Sequence, residues 1–233
     1  RLVMVSYAPL DIAGLEWACV SKIDLEEAIV PQLGGGSEDF FARYIDEYGY
    51  YDLFLIDPGG KAFYTVCQEA DYGTNLVDGE FAGSNLGELT RRVLGEKTYG
   101  MVDFAPYAPS NGDPAAFIAQ PVIEHGEVTM VVALQLSLDA INAIMQEREG
   151  MGETGETYLV GEDLRMRSDS YLDPEGHSVL ASFAGSIAEN GVDTEAAREA
   201  LSGQSDARVI TDYNGNPVLS AYAPVDLGGI TWA

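Results

Sequence analysis

Side chains able to do covalent or metal chemistry are few in this chain of 233 residues. Its two histidines are His125, in a Glu-His-Gly turn, and His177, just before a helix start; both settings read as surface positions. Neither stands at a spacing from serine or cysteine that makes a nucleophile, and no phosphate loop or GxGxxG occurs. Cys19 and Cys67 have no CxxC or metal-ligand context and fit either a pair or two free thiols. Gly34-Gly35-Gly36-Ser37 before a helix offers N–H groups to an anion, though a flexible joint is the simpler reading. Glu38/Asp39 and Glu162/Asp163 stand where caps and turns call for acids. Asp212-x-Asn214-Gly215-Asn216 is like part of a calcium loop without its later glutamate, and Asn-Gly explains it as a turn. The expectation is a chain without catalysis, cofactor or metal.

What remains suits the holding of a small molecule. Alternation over residues 131–136 puts Val131, Ala133 and Gln135 on one face of a strand. Gln135 among aliphatics needs a hydrogen-bond partner, whether a ligand, a backbone loop or water. Residues 115–119 are alanine-rich around Phe117, which leaves either room beside an aromatic wall or close packing on a helix. Asp103 and Tyr107 fall on one face of the preceding strand. Asp71, Tyr72 and Asn75 lie in a loop that either closes over a ligand or caps its own turns. Tyr51, Asp52 and Tyr64 stand in a hairpin, where tyrosine is favoured regardless of function. With so many carboxylates nearby, the expected ligand is small and polar, donates hydrogen bonds, and is neutral or cationic.

The positioning elements repeat. Residues 3–18 reappear as residues 218–233, with Val3/Val218, Tyr7/Tyr222, Ala8/Ala223, Pro9/Pro224, Asp11/Asp226, Gly14/Gly229, Trp17/Trp232 and Ala18/Ala233 identical at one offset. A weaker copy puts Pro114, Pro121 and Val122 on Pro217, Pro224 and Val225. Such periodicity defines tandem units before any local reading does. Asp24 with Glu27 makes a capping box. Ser37 caps a helix closed by Gly49, and Ser84 caps another carrying Leu86, Leu89, Val93 and Leu94. A hairpin turns at Pro58-Gly59-Gly60, three strands follow the second helix, and Ser137 caps a third helix running to Arg148. Beyond it a hairpin around Gly161-Glu162-Asp163, helices over 178–190 and 194–202, and strands around Asn214-Gly215 repeat that order. The expected fold class is α+β, in tandem PAS-like units, each an antiparallel sheet flanked by helices. The divisions are a partial repeat and joint (1–36), a ligand-binding unit with connecting helix (37–149) and a second unit (150–233).

Composition bounds the partners. A net charge of −26, from 38 acidic and 12 basic residues, excludes nucleic acid, which needs a basic face. An acidic solvated surface suits a salty or extracytoplasmic setting. No apolar run approaches the ~20 residues of a membrane span.

Six segments resemble the double Cache sensor domains of bacterial transmembrane receptors, chiefly methyl-accepting chemotaxis proteins and membrane kinases or cyclases. They are residues 48–66 (YGYYDLFLIDPGGKAFYTV), 69–76, 103–122, 131–145, 150–170 (GMGETGETYLVGEDLRMRSDS) and 218–233. The resemblance implies a periplasmic or extracellular sensor anchored to the inner membrane through segments outside this chain, with a homodimer possible in such receptors. It implies a ligand between the first sheet and the loop after its second strand. Tyr107 resembles a strand tyrosine that touches ligand in amino-acid-binding relatives. Gln135 falls where those relatives carry an aspartate for the ligand ammonium, and no arginine and tryptophan match their carboxylate clamp, which disfavours a standard α-amino acid. A structural or interaction module that contacts a binding protein or partner chain is the alternative.

Overall fold

The computed structural model describes residues 3–12, 15–24, 28–30 and 39–233. The Gly34-Gly35-Gly36 joint, the Ser37 cap and Glu27 of the capping box lie outside those residues. The chain is mixed α and β, built on a five-stranded antiparallel sheet. Ahead of that sheet, β1 (Val3–Ile12) and β2 (Leu15–Asp24) pair only with each other. Helix α1 (Phe40–Tyr48) follows; Asp39 caps it by accepting from the Phe41 N–H at 2.8 Å. Gly49 closes it at φ 70°, the left-handed conformation that glycine adopts without strain.

The sheet comprises β3 (Tyr50–Ile56), β4 (Ala62–Thr65), β5 (Gly100–Pro106), β6 (Pro114–Glu124) and β7 (Glu127–Leu136), in the order β4-β3-β7-β6-β5. Between β4 and β5 runs α2 (Asn85–Glu96), whose Leu86, Leu89 and Val93 are buried at helical spacing. They pack on a face formed by Phe54, Ile56, Ala115, Phe117, Val131 and Ala133. Each such aromatic or large aliphatic side chain contributes about 1.5–3 kcal/mol by leaving water. Ser84 caps α2 through the Gly87 N–H at 3.1 Å. Ser84→Ala should therefore lower stability by about 1 kcal/mol, visible as an earlier urea midpoint at unchanged slope; an unmoved midpoint would show the cap to be idle.

The opposite face is shared. Leu53, Leu55, Phe63, Tyr64, Val132 and Leu134 pack with Phe41 and Tyr44 of α1. Phe104 and Ala116 instead meet Val160, Met166, Val179, Val192, Ala197 and Trp232 from residues 150–233. Helix α3 (Leu138–Met145), capped by Ser137, leads there, and Asn142 exchanges two 2.8 Å hydrogen bonds with Asp169. It ends at Met145 rather than Arg148.

Residues 150–233 depart from a simple repetition. Gly185 is extended and splits the expected helix over 178–190 into α4 (Val179–Ala184) and α5 (Ile187–Asn190). Helix α6 (Glu195–Leu201) follows. The hairpin around Gly161 is reduced to one bridge, Val160 with Met166. The remaining strands form two-stranded sheets, β8 (Asp206–Thr211) with β9 (Pro217–Tyr222) and β10 (Val225–Asp226) with β11 (Thr231–Trp232).

Candidate functional site

Across the middle of the large sheet, register sets Asp52 of β3 opposite Gln135 of β7, and Gln135 opposite Phe117 of β6. All three side chains are buried. Alternation on β7 thus places Val131, Ala133 and Gln135 on one face as expected, the face that carries α2. Tyr107, just past β5, brings its ring to 4.9 Å from Phe117 at 64°, and Phe117 meets Phe54 at 6.0 Å. The Tyr107 hydroxyl donates to Asp71 Oδ2 at 2.5 Å, and both residues are fully buried.

The loop bearing Asp71 is tied along β4 by backbone bonds from Gly73 N–H to Ala62 O (2.7 Å) and from Ala62 N–H to Thr74 O (3.0 Å). Glu69 fastens its start, accepting from Tyr51 (2.8 Å) and Ser110 (2.7 Å). Asn75 caps its own turn, its Oδ1 accepting from Val77 and Asp78 N–H. It belongs to the scaffold.

Electrostatically the site is a collection of acceptors. Asp52 Oδ1 accepts N–H bonds from Leu53, Val66 and Cys67. Its Oδ2, Asp71 Oδ1 and Gln135 Oε1 are buried with no hydrogen-bond donor among the described residues. Each such unmet acceptor costs about 1–3 kcal/mol. Burial, outweighing the three N–H bonds, pushes the Asp52 carboxyl up to about 6, and burial raises Asp71 as well. Two proton-hungry carboxyls and an amide oxygen thus stand beside an aromatic wall as buried acceptors short of donors.

No protein-family model matches the sequence, and no curated protein matches it. Solved structures do. An extracellular ligand-binding receptor from Desulfohalobium retbaense superposes with a TM-score of 0.53 at 12% identity, over 82% of this chain and 31% of that one. The extracellular domain of mmHK1S-Z2, named as a histidine kinase, gives 0.51 at 14% identity, over 82% of this chain and 77% of that one. The ligand-binding domain of the Pseudomonas fluorescens chemoreceptor CtaA, in complex with L-isoleucine, gives 0.49 at 17% identity, over 80% and 67%. The first two superpose on most of this chain at a level that marks a shared overall fold. The fold is thus the one seen in the extracellular parts of that receptor and that kinase. This chain spans less than a third of the Desulfohalobium receptor's length.

Within this fold three expected site residues stand elsewhere. Asp103 and Tyr107 do not share a face, because the β5–β6 register shifts between Val102 and Ala105. The irregularity turns Val102 and Tyr107 to the α2 side and Phe104 to the other. The Asn85 amide takes up the Asp103 and Ala115 carbonyls there, at 3.0 and 2.7 Å. Asp103 accepts from Arg167 Nε (2.8 Å), Arg167 Nη2 (2.7 Å) and the Trp232 indole N–H (3.1 Å). It is a joint between the sheet and residues 150–233. Tyr64 lies on the α1 face, with its hydroxyl on Asp39 and its ring 5.5 Å from Phe41. Tyr72 has an exposed side chain, and its N–H bonds the Glu69 carbonyl at 3.1 Å.

His177 also differs from expectation. It is buried, with Nδ1 2.7 Å from Asp173 and its ring 4.2 Å from that of Tyr213. Cys19 and Cys67 are both free and exposed. The sequence reading gave Asp52 only as one of three hairpin residues of no special weight, and it did not single out Arg167. Asp52 carried the same signal as Gln135, a polar residue inside an apolar strand. Arg167 carried none, because its partner lies 64 positions away.

Proposed function

We propose that this chain is the extracytoplasmic sensing part of a transmembrane signal transducer and binds a small, donor-rich polar molecule, cationic or neutral, without catalysis. The ligand would sit on the Asp52–Gln135–Phe117 row beneath the 69–76 loop, in a unit spanning 37–149. The observation that carries this reading is the set of three buried acceptors lacking donors. Asp71 would clasp the ligand through its free oxygen while Tyr107 holds the other. Occupancy would favour one arrangement of loop and sheet over another, which requires unequal affinity for the two. The change would reach residues 150–233 through the Asp103–Arg167 joint and the Asn142–Asp169 pair. No helix among the described residues is long and apolar enough to cross a membrane, so anchoring would come from elsewhere in the protein.

A thermal-shift screen over amines, amides, carboxylates and purines tests this. One donor-rich class should raise the melting temperature, as binding at about 100-fold excess over Kd adds about 2.7 kcal/mol. Gln135→Ala and Tyr107→Phe should remove that shift while circular dichroism remains native. A flat response to all four classes, or a shift unchanged in both variants, would overturn the proposal.

A further inference from the structure

Near its start β3 slips by one residue against β7. Tyr50 stands opposite Leu136, so regular pairing would bring Tyr51 to Gln135; the irregularity between Tyr50 and Asp52 brings Asp52 there instead. A bulge of this kind re-aims a side chain. Here it leaves Tyr51 43% exposed and buries an acid against an amide. Directly opposed residues of an antiparallel pair hold their Cβ atoms about 5 Å apart, which puts the Asp52 carboxyl and the Gln135 amide within reach of one hydrogen bond. Both ends lack it. Asp52 Oδ2 and Gln135 Oε1 are buried acceptors without a donor among the described residues. Two acceptors facing each other need one proton between them, and a neutral carboxyl supplies the O–H that a carboxylate does not have.

The surroundings favour that proton. Asp52 Oδ1 already holds the N–H groups of Leu53, Val66 and Cys67, which leaves Oδ2 as the oxygen to carry it. The titratable groups facing Asp52 are acids: Tyr51 on β3 itself, Cys67 beyond β4, Asp71 and Glu69 in the loop, and Tyr107 past β5. Strand β6 brings Phe117. Helix α2 brings Leu86, Leu89 and Val93, while its Arg91 and Arg92 are engaged by the Ala82 and Met101 carbonyls. Burial, with the nearby Asp71 charge adding to it, raises the Asp52 carboxyl to about 6.

We propose that Asp52 and Gln135 form a proton-binding site: in acid, Asp52 Oδ2 takes up a proton and donates it to Gln135 Oε1 across the β3–β7 seam. One proton then satisfies two of the three acceptors that would hold the ligand, and only Asp71 Oδ1 still lacks a donor. A proton and a cationic ligand therefore exclude each other from the row. The sensor responds to its cation near neutral pH and is silenced by acid. This exclusion rests on the ligand reading above; the proton site itself does not.

NMR titration of the full chain without ligand tests the site, following aspartate carboxyl carbons and glutamine side-chain amides in one sample. The Asp52 carboxyl, recognised by its loss in Asp52→Asn, and the Gln135 amide should titrate together with one midpoint at about 6. Separate midpoints in the native chain overturn the proposal, and that measurement needs no variant to fold. Gln135→Met removes the acceptor at similar volume and should lower the Asp52 midpoint by about 0.5–1 pH unit. A raised midpoint instead means that the amide turns its N–H to the carboxylate, which also overturns the proposal. Methylammonium probes the exclusion: a given thermal shift should need about tenfold more of it at about pH 5 than at about pH 7.5. An equal requirement at both refutes the exclusion. No shift at either pH counts against the ligand reading alone, because the proton titration is read without ligand.

Discussion

Arg167→Ala should lower the unfolding free energy by about 3 kcal/mol, the low end of the loss expected when one partner of a buried ion pair is removed. The guanidinium is 2% exposed and holds Asp103 and Asp163 at 2.7 and 2.8 Å, with the Arg165 carbonyl at 3.1 Å. Asp103 and Asp163 are partly open to water, which keeps the loss toward the lower end. Truncation leaves two carboxylates sharing a site without a cation. Gly161 reports how closely the arginine is fitted, since a Cβ there would come within 2.1 Å of its Cζ. Gly161→Ala should therefore mimic part of the loss. The double variant Arg167→Met, Asp103→Asn should recover part of it, as it removes the Asp103 charge with that of the arginine and leaves only the more exposed Asp163 without its cation. Urea unfolding followed by Trp232 fluorescence measures all three. A loss below about 1 kcal/mol for Arg167→Ala would show the pair to behave as a surface bridge. The same variants should loosen residues 150–233 from the large sheet, because Asp103 is the carboxylate through which β5 grips both Arg167 and Trp232.

Raising the pH from about 4 to about 7 should weaken the fold, and Asp52 should account for much of the change. Its folded carboxyl titrates near 6, above that of an unfolded chain, chiefly because of burial. Between those values the folded chain holds a proton that the unfolded chain has released. Stability from this group is thus fully present at low pH and is lost as pH rises through about 6. A displacement of two pH units corresponds to about 2–3 kcal/mol. Asp71, raised by burial, acts in the same sense. Asp173 acts in the opposite sense: its hydrogen bond with His177 lowers its pKa, so its contribution is lost as the solution becomes acidic. Urea midpoints of the native chain and Asp52→Asn at about pH 4.5 and 7.5 isolate the effect from the general repulsion of an acidic chain. The native chain should lose more stability on the way up; parallel losses would sink the assignment. A cationic ligand should reverse the dependence of binding, its affinity falling about tenfold per pH unit below 6 as Asp52 takes up its proton.

Local rules settled much of this protein. Alternation put Gln135 with Val131 and Ala133, turn residues marked the hairpins, and Ser84, Ser137 and Gly49 bounded their helices as their chemistry requires. Gln135 was legible because a side-chain period of two is written in the residues themselves, whereas Asp71 was named from a loop and Tyr107 from a resemblance, and only the folded chain brings those two together. What tertiary structure decided was everything that breaks or spans the period. The register shift after Val102 sends Asp103 away from Tyr107, and only the neighbouring strand and the Asn85 amide determine that it occurs. Arg167 finds Asp103 across 64 positions. Asp52 becomes a raised, half-unsatisfied carboxyl only when β7, the end of β4 and the loop bearing Asp71 have closed around it. Sequence could name the polar residues in the strands. The enclosure that gives them their proton affinity arises from distant segments meeting, and no local pattern encodes it.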